Sequence, residues 1–190
     1  MGLDARHVVT VRGKAKLPLT SRASGPTTLR MHIVCLSDTH DLHGQLQVPD
    51  GDLLIHAGDA TMSGTPAQIE AFDRWLGRLP HRHKVVIAGN HDWAFQRTPT
   101  RARSLIRHAT YLEHEEATVE GLRIWGSPWQ PWFFDWVFNL QRGPEIAAKW
   151  ARIPDGIHVL ARPTRRGKAG ADRCPTCTAP SPDSRRPFPS

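Results

Sequence analysis

Three short aliphatic runs, each closing on a small polar motif, constrain this chain more than any other feature. Met31-His-Ile-Val-Cys-Leu-Ser37 leads into Asp38-Thr-His40, and Asp52-Leu-Leu-Ile-His-Ala57 leads into Gly58-Asp59. Lys84-Val-Val-Ile-Ala88 leads into Gly89-Asn90-His91-Asp92. Short apolar runs bounded by Gly and Asp read as strands buried on both faces. Between the second and third run, Thr65 suits an N-cap and Pro66 the first helical position. Ile69, Phe72, Leu76 and Leu79 then recur at helical spacing, which predicts a helix over 66–79. Further helices are predicted over 101–108 and 144–152, a hairpin over 117–125 turning at Glu120-Gly121, and a strand over 157–160. Strands alternating with helices predict an α/β fold with a parallel sheet.

In such a sheet, ligands bind beyond the carboxyl ends of the strands. All three polar motifs stand there. Asp38, His40, Asp59 and Asn90 offer carboxylate oxygen, imidazole nitrogen and amide oxygen. That donor mixture suits Mn, Fe, Zn or Ni rather than Ca or a thiolate-held metal. Asp59 has two oxygens and could bridge a pair of ions. Ions about 3.5–4 Å apart can activate water and clamp a phosphate. Taken singly, Asp-x-His or Gly-Asp is ordinary turn chemistry. Their occurrence together, each at a strand end, points to metal.

These motifs resemble the calcineurin-like metallophosphoesterases over residues 31–160. Ile33-Val-Cys-Leu-Ser-Asp-Thr-His40, Gly51-Asp-Leu-Leu-Ile-His-Ala-Gly-Asp59 and Ile87-Ala-Gly-Asn-His91 carry the resemblance. Trp75-Leu-Gly-x-Leu-Pro80, Trp125-Gly-Ser-Pro-Trp129 and Pro131-Trp-Phe133 extend it toward a small single-domain branch with cyclic-nucleotide phosphodiesterase-like members. The resemblance implies a four-layer αββα sandwich. It implies a metal-dependent phosphoesterase with two divalent ions, acting on small-molecule phosphate esters, phosphodiesters being the expected class. Asp38 and His40 would bind the first ion, Asp59 would bridge, and Asn90 would bind the second. His91 would contact the phosphate as catalytic general acid, while a metal-activated hydroxide attacks phosphorus.

One departure stands out. The family pattern continues with a Thr-His-Gly-Pro-Pro-like segment and a Gly-His-x-His segment, each supplying metal-binding histidines. Here Ala161-Arg-Pro-Thr-Arg-Arg166 follows the last strand, and the last histidine is His158. The expected fold is therefore a C-terminally truncated form, and the alternative reading is a catalytically impaired remnant. Met31 is the expected true start, and the change of character at Ala161 suggests a frameshift.

Charge supports the same division. Residues 1–30 hold six Lys/Arg against one Asp, and residues 161–190 hold seven against two Asp. Residues 31–160 hold twelve Lys/Arg against fifteen acidic residues. A folded region that is mildly acidic does not suit a nucleic-acid partner. Both ends are expected to be disordered, the second because it has no Leu, Ile, Val or Met. The absence of a long apolar run excludes a membrane-spanning helix, and a cytoplasmic location is the default. Cys174-Pro-Thr-Cys177 is two thiols short of a zinc site.

Among the remaining candidates, His43 could line the site or lie in a surface loop. His56 reads as a packed core residue, and His81 and His83 as exposed loop. Trp125, Trp129, Trp132 and Trp136 are expected to cluster near the site, and Arg101, Arg103 and Arg107 to form a solvated helix face.

Overall fold

A computed structural model of the chain describes residues 8–16, 28–163 and 177–178. The three aliphatic runs become the parallel strands β2 (Thr28–Leu36), β3 (Leu53–Ala57) and β4 (His83–Ile87). Strand β1 (Val8–Lys16) pairs antiparallel with β2 on one edge, and the short β5 (Thr110–Tyr111) pairs parallel with β4 on the other. The sheet order is β1-β2-β3-β4-β5. Residues 8–16 and 28–30 fall in the segment expected to be disordered and are described as paired strand. Pairing with β1 satisfies backbone groups that β2 would otherwise present along an open edge.

Strict alternation gives each central strand two buried faces. Ile33, Cys35, Leu53, Ile55, Val85 and Ile87 point to one core, and Val34, Leu36, Leu54 and Val86 to another. The second core is closed by helix α1 (Pro66–Arg78), which buries Phe72, Trp75 and Leu76. Each such side chain stabilises the fold by about 1.5–3 kcal/mol. Thr65 caps α1 as its sequence predicts: the Gln68 N–H donates to its hydroxyl at 3.3 Å, and its own N–H donates to Gln68 Oε1 at 2.9 Å.

The first core is closed by a second sheet of strands β6 (Glu115–Val119), β7 (Leu122–Gly126), β10 (Val159–Ala161) and β11 (Cys177–Thr178), in the order β11-β10-β7-β6. Leu122, Ile124, Val159 and Ala161 face the first sheet. The β6–β7 hairpin turns at Glu120 and Gly121, both with positive φ, as predicted. On the outer side Leu160 shares a small cavity with Trp150 and Ile153, at the end of helix α4 (Pro144–Trp150). Helix, sheet, sheet and helix thus stack in the expected order. Strand β11 lies in the tail expected to be disordered and covers the edge of β10. Cys174 lies outside the described residues, as do the rest of 164–176 and all of 179–190.

Two short helices separate β4 from the second sheet, α2 (Trp93–Arg97) and α3 (Pro99–Leu105). The first was not anticipated, and the second starts at Pro99 rather than 101, with proline in the first helical turn. A small parallel pair, β8 (Gln130–Pro131) and β9 (Asn139–Leu140), brackets an aromatic excursion beside the site. No described helix is long and apolar enough to cross a membrane.

Candidate metal centre

The loops leaving β2, β3 and β4 meet at one end of the first sheet, because the parallel strands all finish there. The Asp38 N–H donates to the Gly58 carbonyl, the His40 N–H to that of Asp59, and the Asp41 N–H to that of Ala60, each at 3.0 Å. These rungs carry the pairing of β2 and β3 past the strand ends. Asp38, His40, Asp41 and Asp59 all take positive φ, between 41° and 64°. Asp, Asn and His are the side chains that enter this region most readily after glycine. Gly89 faces Asp59 so closely that a Cβ on it would overlap the Asp59 backbone and carboxylate.

Asp92 locks the arrangement. Its carboxylate is fully buried and accepts from the Gly89 N–H at 2.8 Å, the Ala60 N–H at 3.3 Å, and the Thr61 N–H and hydroxyl at 3.0 and 2.7 Å. Two chain segments some thirty residues apart are thereby tied to one side chain. Burial pushes the Asp92 carboxyl above the ordinary range despite these donors.

Asp38, His40 and Asp59 bring one ligand atom each to within 4.8 Å of one another. Asp59 is buried, and burial followed by the Asp92 carboxylate raises it to about 7. His40 is lowered, first by burial and then by His91. Its Nδ1 is buried without a hydrogen-bond partner. Two buried acids side by side and an imidazole nitrogen without a partner are costly alone. A divalent cation held by Asp38, His40 and Asp59 would offset the charge buried at Asp59 and give the His40 ring a partner, so the residues present fit a metal of the Mn, Fe, Zn or Ni kind.

Asn90 and His91 line the same cavity, about 620 Å³, with Asp38, His40 and Asp59. Asn90 Oδ1 accepts from Gln130 Nε2 at 3.2 Å. The His91 N–H donates to Asp59 Oδ1 at 2.8 Å, and its ring packs edge-on against His40 at 4.5 Å. The cavity therefore gathers all five residues picked out by sequence.

Other residues fall differently. Met62, Phe133, Phe134 and Trp136 complete the wall, with Met62, Phe133 and Phe134 more than half exposed. Of the four expected tryptophans only Trp136 lines the cavity. Trp125 packs on His114 and Trp129 on Phe138, while Trp132 stands exposed. Alternation along β7 turns Trp125 away from the first core, which holds its neighbour Ile124. His43 neither lines the site nor lies on the surface: it is buried against Phe72 and Trp75. His56 is a core residue, bonded to the Thr39 hydroxyl at 3.1 Å. His81 is buried rather than exposed, and His83 pairs with Glu120 across to the β6–β7 turn. Arg103 pairs with Glu113 and Glu115.

Comparison with known proteins agrees with this geometry. A family model of calcineurin-like phosphoesterases matches residues 31–163. Metallophosphoesterase domain-containing protein 1 of Homo sapiens is 43% identical over 150 residues, covering 67% of this chain and 46% of its own length. A UPF0046 protein of Caenorhabditis elegans is 38% identical over 148 residues, covering 69% of this chain and 52% of its own. The chain spans about half the length of the curated relatives it matches. With that match over most of its length and a metal-capable group where its parallel strands end, the chain belongs to the calcineurin-like phosphoesterase family.

Proposed function

We propose that the chain is a metal-dependent phosphoesterase whose substrates are small phosphodiesters. The observation that carries this reading is the group formed by Asp38, His40 and Asp59, opening into a cavity that also presents Asn90 and His91. Asp38 and His40 would hold one ion, Asn90 the other, and Asp59 would face both. Divalent ions bound there would lower the pKa of a water and offset charge on the phosphate. The remaining steps belong to the chain. Water gives its oxygen to phosphorus, and the ester P–O bond opposite breaks. The leaving oxygen keeps the electron pair and takes a proton from His91 Nε2. The proton released by the water returns through solvent to reprotonate His91. The His91 backbone N–H donates to Asp59 and anchors beside the donor group the residue that carries the imidazole.

A diester is favoured over a monoester by the wall opposite the ligands. Met62, Phe133 and Phe134 offer an exposed apolar face for a second ester substituent. The test is Mn²⁺-dependent hydrolysis of bis(p-nitrophenyl) phosphate and p-nitrophenyl phosphate by wild type and Asp59→Asn. Faster turnover of the diester, lost in the variant, is the expected result. Equal rates for the two proteins would sink the enzyme reading.

The donor count favours a second reading, weak or impaired catalysis. Among the described residues, Asp38, His40 and Asp59 form the one three-member group of potential ligands. The second ion would rest on Asp59 and Asn90. Metal content after equilibration separates the readings: two ions per chain support the first, and one loosely held ion supports the second.

A further inference from the structure

His91 sits inside a column of stacked groups. The Arg97 guanidinium lies 4.1 Å from the Trp93 ring centroid, Trp93 meets Trp136 at 5.9 Å, and Trp136 meets His91 at 4.1 Å with planes inclined by 36°. On its far side His91 meets His40, a member of the metal-capable group. The His91 Nδ1 lies 3.1 Å from the Met62 carbonyl. An imidazole held at Nδ1 by a carbonyl keeps one proton there, and as imidazolium it carries a second on Nε2, the proton it can give to a leaving oxygen.

Both jaws of this arrangement are themselves fixed. The Met62 N–H donates to Asp41 Oδ2 at 3.0 Å, and Gln68 Nε2 donates to the same oxygen at 2.6 Å. The preceding residue, Thr61, is held by Asp92. On the other side, Asn139 Nδ2 donates to the carbonyls of Phe133, Phe134 and Trp136 at 3.2, 3.0 and 3.1 Å. The Phe138 N–H is bonded to Gln96 Oε1, from α2. One amide thus staples the turn that carries Trp136, and α2 anchors its end.

We infer that Trp136 is the positioning residue for His91: with the Met62 carbonyl it clamps the imidazole in one tautomer and one orientation, Nε2 toward the cavity. The inference rests on the reading of His91 as general acid. An imidazole with one free face and a single hydrogen bond swings about that bond, and misplacement by about 1 Å can cost about 100-fold in rate. A proton donor matters most when the leaving oxygen is basic, and little when it leaves readily as p-nitrophenolate.

The test uses the metal-loaded full chain and two diesters that differ only in the leaving group, one alkyl and one p-nitrophenyl. Trp136→Ala is expected to lower kcat on the alkyl ester by about 10–100-fold and on the p-nitrophenyl ester by under about threefold. Trp136→Phe should restore the alkyl rate to within about threefold, since a flat ring still covers the imidazole. Where His91→Gln itself slows the alkyl ester selectively, equal losses on both esters in Trp136→Ala, or none on the alkyl ester, overturn the inference. A separate measurement works without turnover: long-range proton–nitrogen NMR of the imidazoles, with His91 assigned through His91→Gln. Read on the neutral ring, the form left once Nε2 has given up its proton, a single Nδ1-protonated tautomer in wild type and Trp136→Phe, and a mixture in Trp136→Ala, uphold the clamp. A mixture in wild type, or an unchanged single tautomer in Trp136→Ala, overturns it. If His91→Gln slows both esters equally while the NMR result holds, the general-acid reading fails and the clamp stands.

Discussion

Thr61 gives both its N–H and its hydroxyl to one oxygen of Asp92, at 3.0 and 2.7 Å, and that oxygen ties the loop after β3 to the loop after β4. Asp92→Ala leaves the buried donors of Gly89, Ala60 and Thr61 without an acceptor. Each buried orphan costs about 1–3 kcal/mol, so the variant should lose at least about 3 kcal/mol. Urea unfolding of the metal-free protein would measure it. A midpoint unchanged from wild type would show that the Asp92 hydrogen bonds add no net stability.

Asp59 makes the metal-free protein sensitive to pH. Its carboxyl ionises near 3.8 when unfolded and is raised to about 7 when folded, by burial and then by Asp92. Across that window the folded chain keeps a proton that the unfolded chain has released. The stability contributed by Asp59 is therefore present at low pH and lost as pH rises through about 7, a difference on the order of 4 kcal/mol. Histidines work in the opposite sense. His56, lowered to about 3 chiefly by burial, favours the folded state above its ordinary value of 6.5 and less as pH falls. Asp59→Asn isolates the carboxylate. It should melt higher than wild type at pH 8 without metal, with a smaller gap at pH 5. Excess Mn²⁺ at pH 8 should close most of that gap, because at about 100 times Kd a bound ion adds about 2.7 kcal/mol to the protein that holds it, and at about 1,000 times Kd about 4.1 kcal/mol. Calorimetry at both pH values reads all of these changes.

Gly89→Ala tests the closeness of the β3 and β4 loops. Its Cβ has no free space beside Asp59, so the loops must part. The expected cost is about 1–3 kcal/mol of overpacking, together with loss of metal from the equilibrated protein. Gly44→Ala, where a Cβ meets nothing within 4 Å, is the matched control. Equal metal content in the two variants would count against a rigid donor group.

The exposed rings at the cavity mouth should act on substrate binding rather than on chemistry. A Phe133→Ser, Phe134→Ser double variant is expected to raise KM for a bulky diester by several-fold and leave kcat within about twofold, the pattern of lost uniform binding. Neither ring belongs to a buried cluster, and at 53% and 61% exposure their loss should barely shift the melting temperature.

The sequence made the central strands and the donor residues legible for one reason: both follow strong local rules. Val, Ile and Leu buried on two faces leave an unbroken apolar run, and Asp, His and Asn at the run's end stand where a parallel sheet binds ligands. Helix α2 was not legible. It has five residues, too few to show a period, and forms through tertiary contacts such as Phe95 stacked on Tyr111 at 4.5 Å. The lock at Asp92 could be read as a motif letter but not as a hub, since three of its four donors come from residues 60–61. The Met62 carbonyl has no sequence signature at all, because every residue carries one. The surprise at His81 has a similar origin, since a histidine between a helix and a strand looks like surface until the chain folds over it.

The left-handed backbone at Asp38, His40, Asp41 and Asp59 reaches beyond catalysis. Such conformations admit few residue types at low cost, chiefly Gly, Asn, Asp and His. A lineage that had abandoned phosphate chemistry would still be held to that short alphabet by the shape of its loops. The same letters would persist through neutral drift, as a record of backbone geometry as much as of reactivity.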